Sequence, residues 1–97
     1  MIYTISWSPE ARITYYRLLD YLDERWTFRE IENLIDRTDE ALSHISRNPL
    51  LYPYSQESNA HRCVLVKQVS LFYRIKSNNV ELLTFWDNRQ DPARLVL

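Results

Sequence analysis

Apolar residues fall on every second position at the start of the chain and then change to a helical spacing. Tyr3, Ile5 and Trp7 follow the first pattern, which predicts a strand. Ser8, followed by proline and glutamate, is typical of a helix start, because its hydroxyl can accept a hydrogen bond from an unpaired backbone N–H group. Apolar residues then recur at steps of three or four, which predicts one buried face of a helix of about four turns. These residues are Ala11, Tyr15, Leu18, Leu22 and Trp26.

A second helix is predicted to begin at Thr27, because Thr27 and Glu30 have the spacing of a capping box. Pro49 disfavours helical geometry at the residue before it, so this helix is expected to end near Asn48. The two helices have almost no linker between them and should pack as an antiparallel hairpin. The expected inner stripe of the second helix consists of Phe28, Ile31, Leu34, Ile35, Thr38, Leu42 and Ile45.

Three strands are predicted in the second half of the chain, after a proline-containing loop at residues 48–60. The first covers residues 62–66, and a turn at residues 67–68 separates it from the second, at 69–76. The third, at 80–86, is apolar on both faces and suits a central position in a sheet. The two faces of the middle strand consist of Val69, Leu71, Tyr73 and Ile75 on one side and Ser70, Phe72, Arg74 and Lys76 on the other.

The order of elements is therefore strand, helix, helix and three strands. This order predicts one α+β domain over residues 1–97, in which the helical hairpin covers one face of a four-stranded, mainly antiparallel sheet. The other face should be less covered and should carry Arg62, Phe72, Arg74 and Lys76.

Composition excludes several classes of function. The chain has 97 residues and no glycine, so a glycine-rich phosphate-binding loop is excluded. A single cysteine, Cys63, excludes an internal disulfide, and we expect it to be a small buried apolar side chain. The two histidines, His44 and His61, fall in different elements, so neither a metal site nor a cofactor is expected. With no signal peptide and no apolar run of membrane-spanning length, we expect a cytoplasmic protein with no membrane partner.

The net charge of −1 is unevenly distributed along the chain. Residues 1–47 carry six arginines against nine carboxylates, whereas residues 48–97 carry six cations against four, so the second half suits an anionic ligand better. Arginine holds phosphate in a two-pronged geometry, and Phe72 or Tyr73 could stack on bases. Alternatively, these are solvated charges that keep the sheet from aggregating. The candidate residues for binding another macromolecule are Arg62, Lys67, Phe72, Arg74, Lys76 and Arg89.

RNA cleavage by internal attack would need a base and an acid in addition to cations. Histidine is the side chain whose ordinary pKa lies near neutrality, which makes His61 the first choice, although a surface role is the alternative. Glu57 and Asp87 are weaker choices, because a carboxylate in this role needs a raised pKa. Tyr73 is expected to pack in the core. If the chain is a nuclease, the catalytic candidates are therefore His61, Arg62, Arg74 and Asp87.

The last predicted strand ends abruptly in a polar cluster at residues 87–92. Asp87 and Asn88 can bond to their own backbone neighbours where the strand ends. Asp91 before a proline can cap a short helix. Arg89 is not needed for these roles, so we expect it to be the member most free to face a ligand.

In the order and spacing of these features, the chain resembles the RelE/ParE toxin superfamily of bacterial type II toxin–antitoxin and plasmid stabilization systems. The resemblance covers essentially the whole chain. It implies a toxin that arrests growth when free. It also implies a cognate antitoxin that lays a helix or an extended segment over the sheet and the hairpin, in a toxin–antitoxin hetero-oligomer. The residues that carry the resemblance are Ser8–Ala11, Asn48-Pro49, Arg62, Leu71–Ile75 and Asn88–Pro92.

Two activities are typical of this superfamily. RelE-like members cut mRNA on the ribosome with basic residues and a histidine or tyrosine near the C-terminus, whereas ParE-like members lack these residues and poison DNA gyrase. This chain has Asp87 where many relatives have histidine, and no histidine or tyrosine follows it. The resemblance therefore favours a gyrase-binding toxin. A ribosome-dependent mRNA endoribonuclease is the alternative, and a non-toxic interaction module is a further one.

Overall fold

Two helices and five strands follow one another in a computed structural model, which describes residues 2–97. Their order is strand, two helices, four strands and a short 3-10 helix at the end. The elements are β1 (Thr4–Trp7), α1 (Pro9–Arg25), α2 (Phe28–Arg47), β2 (Tyr54–Ser55), β3 (Ala60–Val66), β4 (Val69–Lys76), β5 (Asn79–Asp87) and the 3-10 helix (Pro92–Arg94).

Both long helices begin at the residues that the sequence predicts. The Ser8 hydroxyl accepts a hydrogen bond from the Ala11 N–H group at 3.0 Å. In the capping box of α2, the Thr27 hydroxyl accepts from the Glu30 N–H at 3.3 Å, and the Glu30 carboxylate accepts from the Thr27 N–H at 3.1 Å. Caps of this kind stabilise a helix by about 1 kcal/mol each. They fix where each arm of the hairpin starts.

The strands form one mixed sheet in the order β1-β5-β4-β3-β2. β1 runs parallel to β5, and the other neighbouring pairs are antiparallel. The predicted architecture of a helical hairpin on a sheet is confirmed, but the sheet has five strands rather than four. The additional strand, β2, pairs its two residues with Ala60 and His61 at the sheet edge. Two residues are too short to show an alternating pattern in the sequence.

The core lies between the hairpin and one face of the sheet. Val69, Leu71 and Tyr73 of β4 are buried there, as their alternation predicts. Phe28 and Ile35 were predicted to lie on the inner stripe of α2, but they are 79% and 37% exposed. Phe28 is the first residue of its helix, at the tip of the hairpin. Ile35 follows the fully buried Leu34 and is rotated by about 100° from it, so both cannot face the sheet squarely.

β5 has one extra residue relative to β4, and this bulge sets which side chains of β5 face the core. Phe72 pairs with Thr84 and Tyr73 with Leu82, so Leu83 has no partner in β4. Such a bulge shifts the alternation by one position. Leu82 and Phe85 consequently both join the core on the helical side.

The C-terminal residues contribute to the outer face of the sheet. After the 3-10 helix, Leu95, Val96 and Leu97 line one cleft together with Phe72 and Trp86. The outer face is therefore partly enclosed. Within residues 2–97, neither helix carries an apolar stretch of bilayer-spanning length.

Candidate functional site

Two arginines come together on the outer face of the sheet. Arg62 on β3 pairs directly with Phe72 on β4, and Arg74 lies two residues beyond Phe72 on the same face. The Cα atoms of diagonal neighbours of this kind are about 7–8 Å apart. Both arginines line one cleft of about 670 Å³. Its other lining residues are Ser55, Glu57, Ser58, Asn59, Phe72, Trp86, Asn88, Pro92, Ala93, Leu95, Val96 and Leu97.

The Arg62 side chain is held in place by uncharged acceptors. Its Nε donates a hydrogen bond to the Ser70 hydroxyl at 3.0 Å, and one terminal nitrogen, Nη2, donates to the Asn88 side-chain oxygen at 3.0 Å. Ser70 is fully buried, so this anchor is fixed. The guanidinium carbon also lies 5.9 Å from the centre of the Phe72 ring. The remaining nitrogen, Nη1, donates to nothing within residues 2–97 and is free for a ligand.

The Arg74 side chain is held in a similar way. Its Nε donates to the backbone carbonyl of Asn59 at 2.9 Å. Asn59 has a φ of 52°, a conformation that asparagine tolerates better than most residues and that suits a chain without glycine. Glu57 lines the same cleft and Glu81 is the cross-strand partner of Arg74, but within residues 2–97 neither forms an ion pair with the two arginines. Both guanidinium groups therefore keep an uncompensated positive charge.

The other predicted ligand-binding residues do not join this pair as exposed contacts. Phe72 is only 4% exposed and forms part of the cleft floor. Lys67 lies in the turn between β3 and β4, and Lys76 ends β4 at the opposite end of the strand. Both lysines lie outside the cleft. Two arginines therefore line one cleft and two lysines lie outside it, and the four do not form a continuous basic surface.

His61 lies on the opposite face of the sheet from the two arginines. It pairs directly with Tyr73, and the two rings are stacked with centroids 5.1 Å apart and planes inclined by 12°. Its Nδ1 donates to the backbone carbonyl of Tyr52 at 2.9 Å, and the Tyr54 ring contacts it edge-on at 5.3 Å. The sheet therefore separates the imidazole from the cleft of Arg62 and Arg74.

Asp87 and Arg89 bind each other. The Arg89 Nε donates to one oxygen of the Asp87 carboxylate at 3.0 Å, and its Nη2 donates to the other at 2.8 Å. Arg89 was expected to be the member of the cluster most free to face a ligand, but it forms an ion pair with the carboxylate two residues before it, while its side chain stays half-exposed. The hydrogen bonds from Arg89 hold the pKa of Asp87 below its usual range and raise the pKa of Arg89. Asp87 lines a second cleft, of about 590 Å³, and not the arginine cleft.

Two other reactive side chains are buried in the core. The Tyr73 hydroxyl donates to the Pro49 carbonyl at 2.7 Å, and burial raises the pKa of Tyr73. Burial likewise raises the pKa of the Cys63 thiol. The predicted core positions of both residues are confirmed. Among residues 2–97, no three histidine, cysteine or carboxylate side chains group as metal ligands would.

Several residues of the site were not predicted from the sequence. Ser70 and Asn59 orient the two arginines, and Trp86 and the residues after Arg94 form walls of the cleft. The alternation of β4 already places Ser70 on the outer face. Its contact with Arg62, however, depends on the register between two strands, which the sequence pattern does not give. Nothing in the sequence distinguishes Asn59 from the other asparagines of the loops.

Comparison with known proteins identifies relatives of the fold. No protein-family model and no curated protein sequence matches the chain. Among solved structures, a chain of the chromosomal ParDE toxin–antitoxin system from P. aeruginosa is similar with a TM-score of 0.72 at 11% identity, covering 89% of this chain and 96% of that chain. YoeB from Staphylococcus aureus, solved as a dimer, is similar with a TM-score of 0.57 at 17% identity over 89% of this chain and 97% of that chain.

A third similar structure is a copper-bound mutant toxin from Helicobacter pylori. It has a TM-score of 0.58 at 15% identity over 90% of this chain and 94% of that chain. In all three comparisons nearly the whole of both chains is aligned, although the identities are low. The chain therefore has the fold of the RelE/ParE-type toxins, which the order and spacing of its sequence features indicated.

Proposed function

We propose that the chain is the toxin of a type II toxin–antitoxin module and that it acts by binding a target protein, DNA gyrase, without cutting RNA. The fold that it shares with three toxin structures supports the first part. The second part is carried by one observation, the position of His61 on the opposite face of the sheet from Arg62 and Arg74. RNA cleavage by internal attack needs both a base and an acid, whereas this cleft offers two arginines and a single carboxylate, Glu57.

Two further side chains that could transfer a proton, Asp87 and Tyr73, are poorly suited to it. Asp87 is held ionised by Arg89 and lies outside the arginine cleft. Tyr73 is buried, hydrogen-bonded to Pro49 and has a raised pKa. No histidine or tyrosine follows Asp87 in the chain. These observations favour binding over catalysis.

The proposed partner that neutralises the toxin is an antitoxin that covers the sheet and the hairpin. The hairpin exposes large apolar side chains, among them Ile13, Tyr16, Phe28 and Ile35. Exposed apolar area on a small protein is typical of a protein-binding surface. A gyrase target also fits a cytoplasmic location.

A supercoiling assay with purified gyrase tests the proposed function. We expect inhibition at stoichiometric toxin, with ribosome-bound mRNA left intact. Arg62→Gln and Arg74→Gln should weaken the inhibition, whereas Arg12→Gln, which removes an exposed arginine on α1, should not. Unimpaired supercoiling at a large excess of toxin would rule out gyrase as the target.

A second candidate function is a ribosome-dependent mRNA endoribonuclease. It is favoured by the two uncompensated guanidinium groups of Arg62 and Arg74, which suit a phosphate group. This function requires mRNA cuts on translating ribosomes that are lost in Arg62→Ala and Arg74→Ala. The further alternative is an interaction module without toxicity. It predicts that cells grow normally when the chain is expressed alone.

A further inference from the structure

We infer that the second cleft, between α1, the end of β5 and the C-terminal segment, binds an adenine nucleotide, with the base bonded to the backbone of β5 and the phosphate held by arginine. The inference is independent of the proposed function, because this cleft is not the one that Arg62 and Arg74 line. It follows from an unpaired stretch of strand edge, from two arginines without ion-pair partners and from the aromatic walls of the cleft.

The edge of β5 that faces β1 has no partner strand beyond Leu82. β1 pairs with β5 only as far as that residue, whereas β4 pairs with the other edge to the end of β5. Backbone groups of successive residues alternate between the two edges of a strand. The Asn88 N–H donates to the turn that precedes β4 at 2.7 Å, and the Phe85 N–H donates to Thr14 on α1 at 3.0 Å. The backbone groups of Phe85 and Asp87 therefore point away from β4.

Two backbone groups on this edge have no partner within residues 2–97. The Phe85 N–H is bonded to Thr14, and the Asp87 carbonyl accepts from the Gln90 N–H at 3.0 Å. The Phe85 carbonyl and the Asp87 N–H remain, as one acceptor and one donor on the same edge. Both residues line the second cleft. Because backbone groups of a folded protein are normally paired, this acceptor and donor leave a place for a ligand.

The free edge is too short for another strand and suits a heterocycle. Thr14 occupies the N–H before it and Gln90 the carbonyl after it, so an added strand would form only one pair of hydrogen bonds. Adenine needs only one such pair, because its N6 amino donor and its N1 acceptor lie on neighbouring atoms of one edge. The donor can bond to the Phe85 carbonyl and the acceptor to the Asp87 N–H. Cytosine offers a similar pair on a smaller ring.

The walls of the cleft suit a stacked base. Tyr21 of α1 and Trp86 of β5 line it and are both partly exposed, and Leu18 and Leu95 add apolar surface. Bases stack on aromatic side chains through the face of the ring, and a purine covers more of such a wall than a pyrimidine. The cleft volume of about 590 Å³ lies within the range of small-ligand sites, roughly 300–1,000 Å³.

Two arginines are available for the phosphate. Arg17 of α1 and Arg94 of the C-terminal segment line the cleft, and neither forms an ion pair within residues 2–97. Arginine can hold a phosphate through two parallel hydrogen bonds. Of the two carboxylates in the cleft, Asp87 is already paired with Arg89, and Glu10 precedes Arg17 by about two turns of α1. The part of the cleft near Arg17 therefore favours an anion.

Isothermal titration calorimetry of the isolated chain with four probes tests the inference. The probes are adenosine monophosphate (AMP), adenosine, N6,N6-dimethyl-AMP and cytidine monophosphate (CMP). We expect AMP to bind most tightly. Adenosine lacks the phosphate and the dimethyl compound lacks the N6 donor, so each should bind at least about tenfold more weakly than AMP. CMP should also bind more weakly than AMP, because its ring covers less of the aromatic wall.

Variants of the chain locate the phosphate. Arg17→Gln and Arg94→Gln should each weaken AMP binding about tenfold and leave adenosine binding unchanged. Arg12→Gln is the matched control, since it removes the same charge from α1 but lies outside the cleft. Circular dichroism of each variant shows whether the fold is intact.

Nuclear magnetic resonance locates the base. The backbone N–H resonance of Asp87 should shift when AMP or adenosine binds. The N–H resonance of Val64, on β3, should not shift, because Val64 lies outside the cleft.

Four outcomes would overturn the inference. They are no binding of AMP at millimolar concentration, equal binding of AMP and N6,N6-dimethyl-AMP, tighter binding of CMP than of AMP, and AMP binding that neither Arg17→Gln nor Arg94→Gln weakens. None of these measurements involves gyrase. The supercoiling assay can therefore fail while the nucleotide results hold, and the reverse is equally possible.

Discussion

His61 and Arg62 are adjacent in the chain, yet their side chains lie on opposite faces of the sheet. The His61 ring stacks on Tyr73 on the core side of the sheet, whereas the Arg62 guanidinium is bonded to Ser70 and Asn88 on the outer face. Successive side chains of a strand alternate between the two faces, so no small rotation of a side chain brings them together. The histidine next to Arg62 in the sequence is thus separated by the sheet from the cleft of the two arginines.

His61→Gln should leave the activity of the protein unchanged and lower its stability. The substitution removes the ring stacked on Tyr73 and the hydrogen bond to the Tyr52 carbonyl. We expect the free energy of unfolding to fall by about 1–2 kcal/mol. Urea unfolding measures the stability, and gyrase inhibition measures the activity. Loss of activity in a folded His61→Gln protein would show that the imidazole acts in the mechanism.

Ser70→Ala should weaken target binding through Arg62. The buried hydroxyl accepts the hydrogen bond from Arg62 Nε, and its removal leaves the guanidinium group less well oriented. We expect the concentration for half-inhibition of gyrase to rise about threefold to tenfold, with a loss of about 1 kcal/mol in stability.

Two further variants define the role of Ser70. In a protein that already carries Arg62→Gln, Ser70→Ala should have no additional effect on inhibition, because no oriented guanidinium group remains to be lost. Asn88→Ala removes the other anchor of Arg62 and should act in the same direction. An undiminished effect of Ser70→Ala in the Arg62→Gln background would contradict a positioning role.

Thr14→Val should destabilise the fold, because the Thr14 side chain on α1 bonds to the backbone of β5. The Thr14 hydroxyl accepts a hydrogen bond from the Phe85 backbone N–H at 3.0 Å and donates to the Glu10 carbonyl at 2.8 Å. β1 pairs with β5 only as far as Leu82, so the helix supplies the acceptor that a neighbouring strand would otherwise provide. Valine has nearly the same shape but leaves the N–H without a partner, at a cost of about 1–3 kcal/mol.

Thr14→Ser is the matched control for that substitution, because serine keeps the hydroxyl and removes only a methyl group. We expect its free energy of unfolding to lie within about 1 kcal/mol of the wild-type value. Equal losses in Thr14→Val and Thr14→Ser, measured by urea unfolding, would show that the hydroxyl contributes nothing.

The Asp87–Arg89 pair should make stability depend on pH in acid. Arg89 holds the pKa of Asp87 below its unfolded value of about 3.9, so the pair stabilises the fold above that pH. This contribution is lost as the pH falls through the lowered pKa of the folded state. Arg89 is half-exposed, and solvent limits the effect to roughly 1 kcal/mol or less.

Arg89→Gln should therefore be less stable than the wild type at pH 7, and the difference should vanish near about pH 2. Arg94→Gln, in the same C-terminal segment, removes an arginine that forms no ion pair within residues 2–97 and should show no such dependence. Unfolding curves at both pH values check the prediction. A difference between Arg89→Gln and the wild type that is independent of pH would contradict it.

The sequence predicts the architecture well where periodicity and capping agree. The starts of both helices follow from Ser8 and Thr27, whose side chains bond to the backbone locally. The faces of β4 follow from its alternation. The short strand β2 was missed because it depends on pairing with β3 rather than on its own residues. The bulge at Leu83 was missed for the same reason, since it is a property of two strands and not of one.

The candidate site was predicted only in part. The alternation of β4 correctly places Arg74 on the outer face, and the same rule applied to β3 separates Arg62 from His61. The ion pair of Arg89 with Asp87 was not predicted in that way, because Arg89 follows the end of β5 and the alternation rule applies only within a strand. The cleft itself depends on the path of the chain after Arg94, for which the sequence contains no pattern.

The pairing of β1 with β5 has a consequence for how the nascent chain acquires its shape. Thr4–Trp7 precede their strand partners, Asn79–Leu82, by more than 70 residues, and within residues 2–97 they pair with no other strand. β5 must therefore leave the ribosome before β1 can dock, and contacts so distant in sequence slow folding. A chain that stops before β5 would leave β1 without its strand partner.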